Sequence, residues 1–455
     1  MEKLPSLSEK QVAHVIDQTG VTKVTKMLIF AASLGYLFDA FDNTLLGYVM
    51  PLIAKEYTIT SEMKGFILSL ALWGGVVGMW FWGPIAEMKG RRIAFQGTVL
   101  TFSLFTGLAA ATWNALSLGI TRFITGAGLM GFYAVDLAMV SEMTPTRLRG
   151  RLTSAITVLY PVGVVLGGFV AGLLAEKVGW RGMFLVGVIP ALCAYVIRRH
   201  VPESPRWLVS KGRGAEAEKA LVQMGATPGI IEEVKQAHPV ETAAPASTDS
   251  SLKVKFSELF SRKWLRTNIV ALVAWNSCSF APWGVMLWLP TILVEVYHFS
   301  FVKSVMFSTI TFSFGLLGRL CGVYLIEKIG RRPLLIMAFS MAAVFCLAFG
   351  LVTDPAWLLF FIAAYKFFND QGSLGVMAYI PELYPTRLRV MGNSYAASSS
   401  RISAALAPIM VGFLMGMHQY TLIWIIFAVT YVIGALTIWL LASETKGKSL
   451  EEVTN

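Results

Sequence analysis

The chain has 455 residues, of which 55% are hydrophobic and 14% are charged, and its mean hydropathy is +0.63. This much apolar surface excludes an ordinary water-soluble protein and indicates many membrane-spanning helices. The four cysteines are isolated within apolar segments, and the five histidines are scattered. Neither a disulfide framework nor a metal site is therefore predicted.

Twelve segments are long enough to be transmembrane helices, which need about 20 apolar residues to cross a hydrocarbon core of roughly 30 Å. They lie at 27–50, 65–86, 93–112, 115–141, 153–175, 182–199, 268–293, 304–326, 334–352, 356–383, 392–416 and 420–442. The predicted fold class is an all-α membrane protein with twelve transmembrane helices.

Residues 1–26 carry charges throughout and lack an apolar core followed by a cleavage site, so they are not interpreted as a signal peptide. The long polar stretch after the sixth span has a helical pattern near 213–237 and an Ala/Pro/Ser/Thr-rich linker at 238–251. The predicted parts are a cytoplasmic arm (1–26), a six-helix bundle (27–199), a cytoplasmic linker (200–267), a second six-helix bundle (268–442) and a cytoplasmic tail (443–455).

The net charge of +11 has a topological explanation. If both termini face the cytoplasm, 29 of the 38 Lys and Arg residues fall in cytoplasmic segments. This asymmetry is the positive-inside pattern of a multi-pass protein of the cytoplasmic (inner) membrane. No nucleic-acid partner is predicted.

Two short patterns each occur twice, at the same offset of 240 residues. The stretch 87–92, Glu-Met-Lys-Gly-Arg-Arg, returns at 327–332 as Glu-Lys-Ile-Gly-Arg-Arg. The stretch 142–149, Glu-Met-Thr-Pro-Thr-Arg-Leu-Arg, returns at 382–389 as Glu-Leu-Tyr-Pro-Thr-Arg-Leu-Arg. One shared offset indicates that the two halves are the same fold, duplicated, as in many transporters whose two lobes rock about a central site.

The repeated turns predict a gate. Glycine permits a tight reversal between spans, and arginine can pair with glutamate at the membrane edge in one transport state and separate in the other. The alternative is that these arginines only anchor the topology. The predicted gating residues are Glu87, Arg91, Arg92, Glu142, Arg149, Glu327, Arg331, Arg332, Glu382 and Arg389.

Four further stretches carry a resemblance to a known family: 122–128 (RFITGAG), 202–208 (PESPRWL), 381–387 (PELYPTR) and 444–452 (ETKGKSLEE). Over its full length the chain resembles the major facilitator superfamily, in the branch of sugar porters and organic-ion transporters. The resemblance implies two pseudo-symmetric six-helix bundles and transport by alternating access.

Two departures count against a sugar substrate. The stretch 158–163 lacks the Gln that sugar porters place in the fifth span, and 275–280 lacks the paired Gln of the seventh. By contrast, 37–42 (LFDAFD) and 400–408 (SRISAALAP) resemble segments of bacterial aromatic-acid:proton symporters, nicotinate transporters and animal organic-ion carriers. The second segment implies an Arg associated with anionic substrates.

Eight ionisable residues lie inside the spans, where unpaired charges are costly. Lys366 and Asp370 are i and i+4 on one helix and can pair locally, whereas Arg122 and Asp136 are about 21 Å apart along theirs. One interpretation of these four acids and four bases is that they form four structural ion pairs. The acids are Asp39, Asp42, Asp136 and Asp370, and the bases are Arg122, Arg319, Lys366 and Arg401.

Arg401 is the predicted ligand of a substrate carboxylate, because its planar fork matches two carboxylate oxygens. The alternative is an Arg neutralised by a neighbouring Asp. Asp39 and Asp42 lie three apart on one helix, and two close carboxylates in a dry site resist ionising together. They are the leading proton-coupling candidates, with Asp136 third; their alternative is structural pairing to Arg401 or Lys366.

Aromatic and amide side chains at similar depth are predicted to line the site, since flat rings stack on such walls. Packing against lipid or other helices is the alternative for each of them. The predicted substrate-binding residues are Phe41, Tyr160, Asn276, Phe280, Trp283, Lys366, Asn369, Tyr379 and Arg401.

The predicted function is secondary active transport of a small organic anion, an aromatic or other monocarboxylate, by proton-coupled symport. The alternatives are an organic cation, a sugar or polyol, and a membrane sensor built on the same fold. No nucleotide-binding loop or catalytic constellation is present in the sequence, so no enzyme activity and no cofactor are predicted. The expected partners are the substrate, protons and the lipid bilayer, with the protein a monomer.

Overall fold

The structure is a computed structural model that describes residues 7–189, 191, 197, 199–237 and 257–447. All regular elements in these residues are helices. They are α1 (Glu9–Thr19), α2 (Lys23–Tyr57), α3 (Ser61–Lys89), α4 (Arg91–Ala109), α5 (Ala115–Met143), α6 (Thr146–Val186), α7 (Pro205–Ser210), α8 (Gly214–Gln223), α9 (Pro228–Ala237), α10 (Leu265–Ser277), α11 (Phe280–Glu295), α12 (Phe301–Ile329), α13 (Arg331–Phe349), α14 (Pro355–Glu382), α15 (Thr386–Gly416) and α16 (Tyr420–Leu441).

By length and composition, nine helical stretches of the described residues can cross a membrane. They are α2, α3, α5, α6, α10 and α11 taken together, α12, α13, α15 and α16. Two more helices have a spanning length without belonging to this set, namely α4 with 19 residues and α14 with 28. The centre of α14 carries Lys366, Asn369, Asp370 and Gln371 in an otherwise apolar sequence.

One span boundary differs from the sequence pattern. The segment 268–293 is not one helix, because α10 ends at Ser277 and α11 begins at Phe280. Within α6, a non-helical reversal at Gly179 (φ 70°) separates the fifth span from the beginning of the sixth. Only glycine adopts this backbone conformation readily. Much of the predicted sixth span and the linker 238–251 lie outside the described residues.

The chain divides into two compact units. The first contains the described residues of Met1–Asn43, Trp73–Gly163 and Arg181–Ser247. Its core includes the ring of Phe132, which meets Tyr36, Phe95 and Phe102 edge-on at centroid distances of 5.3–6.1 Å. Edge-to-face packing of this kind adds to the energy of burial, so aromatic contacts tie α2, α4 and α5 together.

The amphipathic helix α1 packs within the first unit on the short helices α8 and α9 of the linker. Its buried face carries Val12, Val15 and Ile16, which belong to the same apolar cluster as Leu221 and Ile231. A capping box between Ser8 and Gln11 sets the start of the helix. The described part of the arm is therefore packed into the unit.

The second unit contains Thr44–Leu72, Val164–Trp180 and the described residues of Thr248–Asn455. Backbones approach closely here: a methyl group on Gly65 would lie 2.5 Å from the carbonyl oxygen of Pro408. An ion pair joins Lys64 to Glu295 at the same side. Parts of α2, α3 and α6 thus pack with α11, α12 and α15 in this unit.

Candidate functional site

Asp42 and Arg122 form a buried ion pair in the first unit. The guanidinium donates to both carboxylate oxygens, with a distance of 3.2 Å from Nη1 to Oδ1. Thr106 also donates to Oδ1 at 2.7 Å, and the ring of Phe184 lies 5.3 Å from the Arg122 guanidinium carbon. The side chains are only 2% and 1% exposed. The partner of Asp42 is thus Arg122, and neither Arg401 nor Lys366.

The other two acids of this unit have different surroundings. Asp39 is buried and accepts a hydrogen bond from the amide of Asn43 at 2.8 Å. Asp136 is fully buried, and neither of its carboxylate oxygens has a hydrogen-bond partner among the described residues. An ionised carboxylate at that position would be an uncompensated charge.

Three charged residues meet between α12 and α14 of the second unit. Lys366 contacts Oδ2 of Asp370, which is the local pair that their i,i+4 spacing favours. Nη2 of Arg319 lies 3.6 Å from Oδ1 of the same carboxylate. This cluster of one acid and two cations was not predicted, because Arg319 is some 50 residues away along the chain.

A cavity of about 380 Å³ lies in the second unit beside the interruption between α10 and α11. Its polar lining includes Asn276, Ser277, Ser403 and Thr430, and Phe280 forms part of its apolar wall. Asn276 donates to Ser399 Oγ at 2.9 Å, which fixes α10 against α15. Discontinuous spanning helices often form substrate sites in transporters, and of the predicted residues this cavity brings together Asn276 and Phe280.

The remaining predicted substrate ligands occupy several environments. Arg401 is half-buried on α15, two residues before Ser403 of the cavity, and Trp283 is half-buried on α11. Asn369 accepts a hydrogen bond from Tyr431 at 2.8 Å, and Tyr379 donates to the carbonyl of Ser443. In the first unit, Phe41 meets Phe38 edge-on, and Tyr160 packs against the apolar core.

Each Gly-Arg-Arg turn carries the same ion pairs within its own unit. Arg91 pairs with Glu87 at 2.7 Å and with Glu142 at 3.2 Å. At the equivalent positions 240 residues later, Arg331 pairs with Glu327 at 3.2 Å and with Glu382 at 3.4 Å. Other predicted gating arginines make different contacts. Arg332 donates to the Trp439 carbonyl, and Arg389 donates to the Pro381 carbonyl. Arg149 has buried nitrogens without a partner among the described residues.

Two glutamates that the sequence reasoning did not single out cap these turns. Glu203 accepts from the backbone N–H of Arg92 at 3.1 Å, and Glu444 accepts from the N–H groups of Arg331 and Arg332 at 3.1 and 3.0 Å. Burial raises the pKa of Glu203, while these backbone bonds act in the opposite direction. Both glutamates lie in stretches that carry the family resemblance, and they are about 240 residues apart, so the duplication was the signal that could have identified them.

Comparison with known proteins identifies the family. A profile described as sugar (and other) transporter matches residues 27–455. The chain is 29% identical over 443 residues to the niacin transporter NiaP of Acinetobacter baylyi, covering 96% of this chain and 98% of that protein. It is 26% identical over 395 residues to the 4-hydroxybenzoate transporter PcaK of the same organism, covering 86% and 85% of the two chains.

Among solved structures, the inward open conformation of the xylose transporter XylE from E. coli superposes with a TM-score of 0.75 and 19% identity, covering 94% of this chain and 99% of that one. At this identity the likeness concerns the fold alone. These findings confirm the predicted helical transporter fold and the absence of an enzymatic role. The chain is a multi-pass membrane protein of the major facilitator superfamily and belongs to its sugar (and other) transporter family.

Proposed function

We propose that the protein moves a small organic monocarboxylate, preferably one with an aromatic ring, across the cytoplasmic membrane together with protons. The observation that carries the proposal is a charged cluster at mid-helix positions of the second unit. Between α12 and α14, Arg319 and Lys366 share the single carboxylate of Asp370. A charge imbalance inside the membrane is costly unless an anion compensates it.

The lining of the cavity supports the same class of substrate. Phe280 and the aliphatic residues around it offer an apolar wall, and the polar groups of Asn276 and Ser403 are already bonded to other residues of their helices or to Ser399. A sugar needs many hydroxyl and amide partners, whereas an aromatic acid needs an apolar slot and one cationic anchor. Two relatives are a niacin transporter and a 4-hydroxybenzoate transporter, which agrees with this class. Arg401, two residues before Ser403 on α15, is the proposed anchor.

Proton coupling is proposed for the acids of the first unit. Neither carboxylate oxygen of Asp136 has a hydrogen-bond partner among the described residues, so protonation would lower the cost of burying it. Asp42 is held by Arg122, and its release from that pair would need a proton to compensate it. Asp39, bonded to Asn43, is the third candidate.

The proposed topology places both termini and the linker in the cytoplasm, because the basic residues concentrate in those segments. The arginine turns then lie at the cytoplasmic edge, where their ion pairs are proposed to hold helix ends together in one transport state. The proposed active form is a monomer that works by alternating access.

Uptake of labelled benzoate or nicotinate into proteoliposomes under an imposed pH gradient tests this function. We expect accumulation when the outside is acidic, and none when an ionophore collapses the gradient. Arg401→Ala should lower the uptake efficiency by roughly 10- to 150-fold, since a hydrogen bond to a charged group contributes about 1.5–3 kcal/mol.

The matched control is Arg262→Ala, which removes an exposed arginine near the start of α10. It should transport like the wild-type protein. Accumulation of a sugar or an amine in place of every acid would contradict the proposal, and so would binding of acids with no accumulation.

A further inference from the structure

The charged cluster between α12 and α14 is electrostatically incomplete. Lys366 is in close ion-pair contact with Oδ2 of Asp370, whereas Nη2 of Arg319 lies 3.6 Å from Oδ1, beyond hydrogen-bond distance. Nε of Arg319 is buried without a partner among the described residues. The cluster also carries one more cation than it has acids.

The neighbouring residue adds a second unsatisfied group. Gln371 is completely buried, and both its amide nitrogen and its amide oxygen lack partners in the part of the chain that the structure describes. A buried amide of this kind costs free energy unless a ligand or water bonds to it. Donors without acceptors therefore concentrate on one stretch of α14 and the facing turn of α12.

The cluster is accessible, unlike the ion pair of the first unit. Exposed fractions are 29% for Arg319, 17% for Lys366 and 12% for Asp370, against 1–2% for Asp42 and Arg122. Its carboxylate packs against Gly315 of α12, where a methyl group would lie 2.5 Å from Oδ2. A side chain at that position would clash with the carboxylate, so Gly315 is what lets Asp370 pack against α12.

The position of the cluster matches a substrate site. Cys278, in the interruption between α10 and α11, lies within electrostatic range of Asp370 and Arg319. The ring of Phe312, one turn before Gly315, lies 5.9 Å from Nζ of Lys366. The cluster thus combines an interrupted helix, an aromatic ring and an excess cation.

We propose that Arg319 and Lys366 form a subsite for a ligand carboxylate, and that Asp370 is the resident counter-ion which gives way to it by taking up a proton. Before binding, the cluster holds two cations and one carboxylate, a net charge of +1. After binding, Asp370 is a neutral acid and the ligand supplies the single negative charge. The net charge stays +1, so one proton and one monoanion enter together without changing the net charge of the cluster.

This inference rests on the proposed function for the class of ligand, and it adds a coupling group in the second unit. Its pH dependence involves the groups that face Asp370. They are Arg319 from α12, Lys366 and Tyr365 on its own helix, and Cys278 from the interruption. In the proposed step Asp370 takes up the proton, while Lys366 and Arg319 bind the ligand.

Benzoate binding to the purified protein, measured by calorimetry between pH 5.5 and 8, tests the subsite. Because one proton is taken up with each ligand, the affinity of the wild-type protein should fall by up to about tenfold for each unit that the pH rises across this range. Asp370→Asn should bind benzoate at pH 8 as tightly as the wild-type protein does at its acidic limit, without dependence on pH. Arg319→Gln and Lys366→Gln should each weaken binding by roughly 10- to 150-fold.

Lys303→Gln, at the exposed beginning of α12, is the matched control and should bind as the wild-type protein does. Arg319→Lys should restore part of the affinity, which separates loss of charge from loss of fold. Benzamide, the uncharged counterpart, and sulfate should not compete with benzoate. Unchanged benzoate affinity in both Gln variants would overturn the subsite while leaving the proposed function intact. Absence of carboxylate binding by the wild-type protein at every pH would overturn both.

Discussion

The acids of the first unit show how differently one side-chain type can behave within a few helical turns. Asp42 is bonded to Arg122 and Thr106, whereas Asp136, equally buried, has no partner among the described residues. Removing the partner of a buried ion pair leaves an uncompensated charge and typically costs 3–5 kcal/mol. Removing the charge of an isolated buried acid relieves a cost. The two positions should therefore respond oppositely to the same substitution.

Asp136→Asn should give a protein that binds and exchanges substrate but does not accumulate it on a pH gradient. The amide has the shape of the protonated acid, so the carrier keeps its packing and loses the titratable group. Counterflow and gradient-driven uptake, measured in parallel on the same proteoliposomes, check this prediction. Loss of both activities in a well-folded variant would contradict it.

Asp42→Asn is the matched control for that experiment. It leaves Arg122 buried without its counter-ion, and we expect thermal unfolding of the purified protein at a clearly lower temperature. Asp136→Asn should not lower the unfolding temperature. Equal thermal stability of the two variants would show that the observed pair contributes little.

Ion pairs between residues close in the sequence could be predicted from it, whereas ion pairs between residues far apart could not. The contact between Lys366 and Asp370 follows from helical periodicity alone. The pairing of Asp42 with Arg122 joins residues 80 positions apart, and Arg319 joins its cluster across 51 positions. Nothing in spacing or composition selects these partners from among the eight ionisable residues within the spans.

Helix ends are the features that tie the elements to one another. The helices α4 and α13 each begin directly after a glycine with positive φ, Gly90 at 111° and Gly330 at 99°. Their first N–H groups are bonded by Glu203 and Glu444, which come more than 100 residues later in the chain. An acid at a helix N-terminus also interacts favourably with the helix dipole. Two distant motifs thus fix the same kind of helix start.

Glu444→Ala should lower the stability of the protein by about 1–2 kcal/mol, the cost of losing a helix cap. Glu444→Gln should cost less, because an amide oxygen still accepts the backbone bonds. Thermal unfolding with Glu87→Gln as the control measures this, since Glu87 is largely exposed and pairs only locally with Arg91. An Ala variant as stable as the Gln variant would rule out capping.

The duplication predicted the paired turns at Arg91 and Arg331, because a common offset transfers each contact from one half to the other. The interruption at Cys278 and Ser279 could not be predicted in this way. A two-residue break changes neither the hydropathy nor the length of an apolar segment, and the equivalent span of the first half, α2, is continuous. Its functional consequence, a cavity beside Asn276, was therefore visible only in the structure.

At the scale of the molecule, three helices contribute to both compact units. The end of α2, the beginning of α3 and a section of α6 pack in the second unit, while their other parts belong to the first. Contacts in this region are close, as at Gly168, where a methyl group would lie 2.0 Å from the hydroxyl of Thr309. A carrier that works by alternating access must open such contacts during its cycle.

Gly65→Trp should abolish transport while leaving ligand binding measurable, because the indole cannot fit against the Pro408 carbonyl. The closed arrangement would be lost and the cycle arrested. Gly83→Trp, on the same helix α3, is the control, since a methyl group there meets nothing within 4 Å. Uptake assays together with ligand-induced thermal shifts distinguish the cases. Normal uptake by Gly65→Trp would show that this contact never needs to close.

The two copies of the duplicated sequence have diverged in how they keep charge inside the bilayer. In the first unit, Asp42 and Arg122 form a hydrogen-bonded ion pair that is buried from solvent. In the second unit, Asp370 is partly exposed and is shared by two cations, Arg319 and Lys366. Almost any substitution in the buried pair destabilises the protein, whereas single substitutions in the partly exposed cluster can change its charge at a smaller cost. Substitutions that alter substrate preference should therefore be tolerated more readily at the cluster of the second unit than at the ion pair of the first.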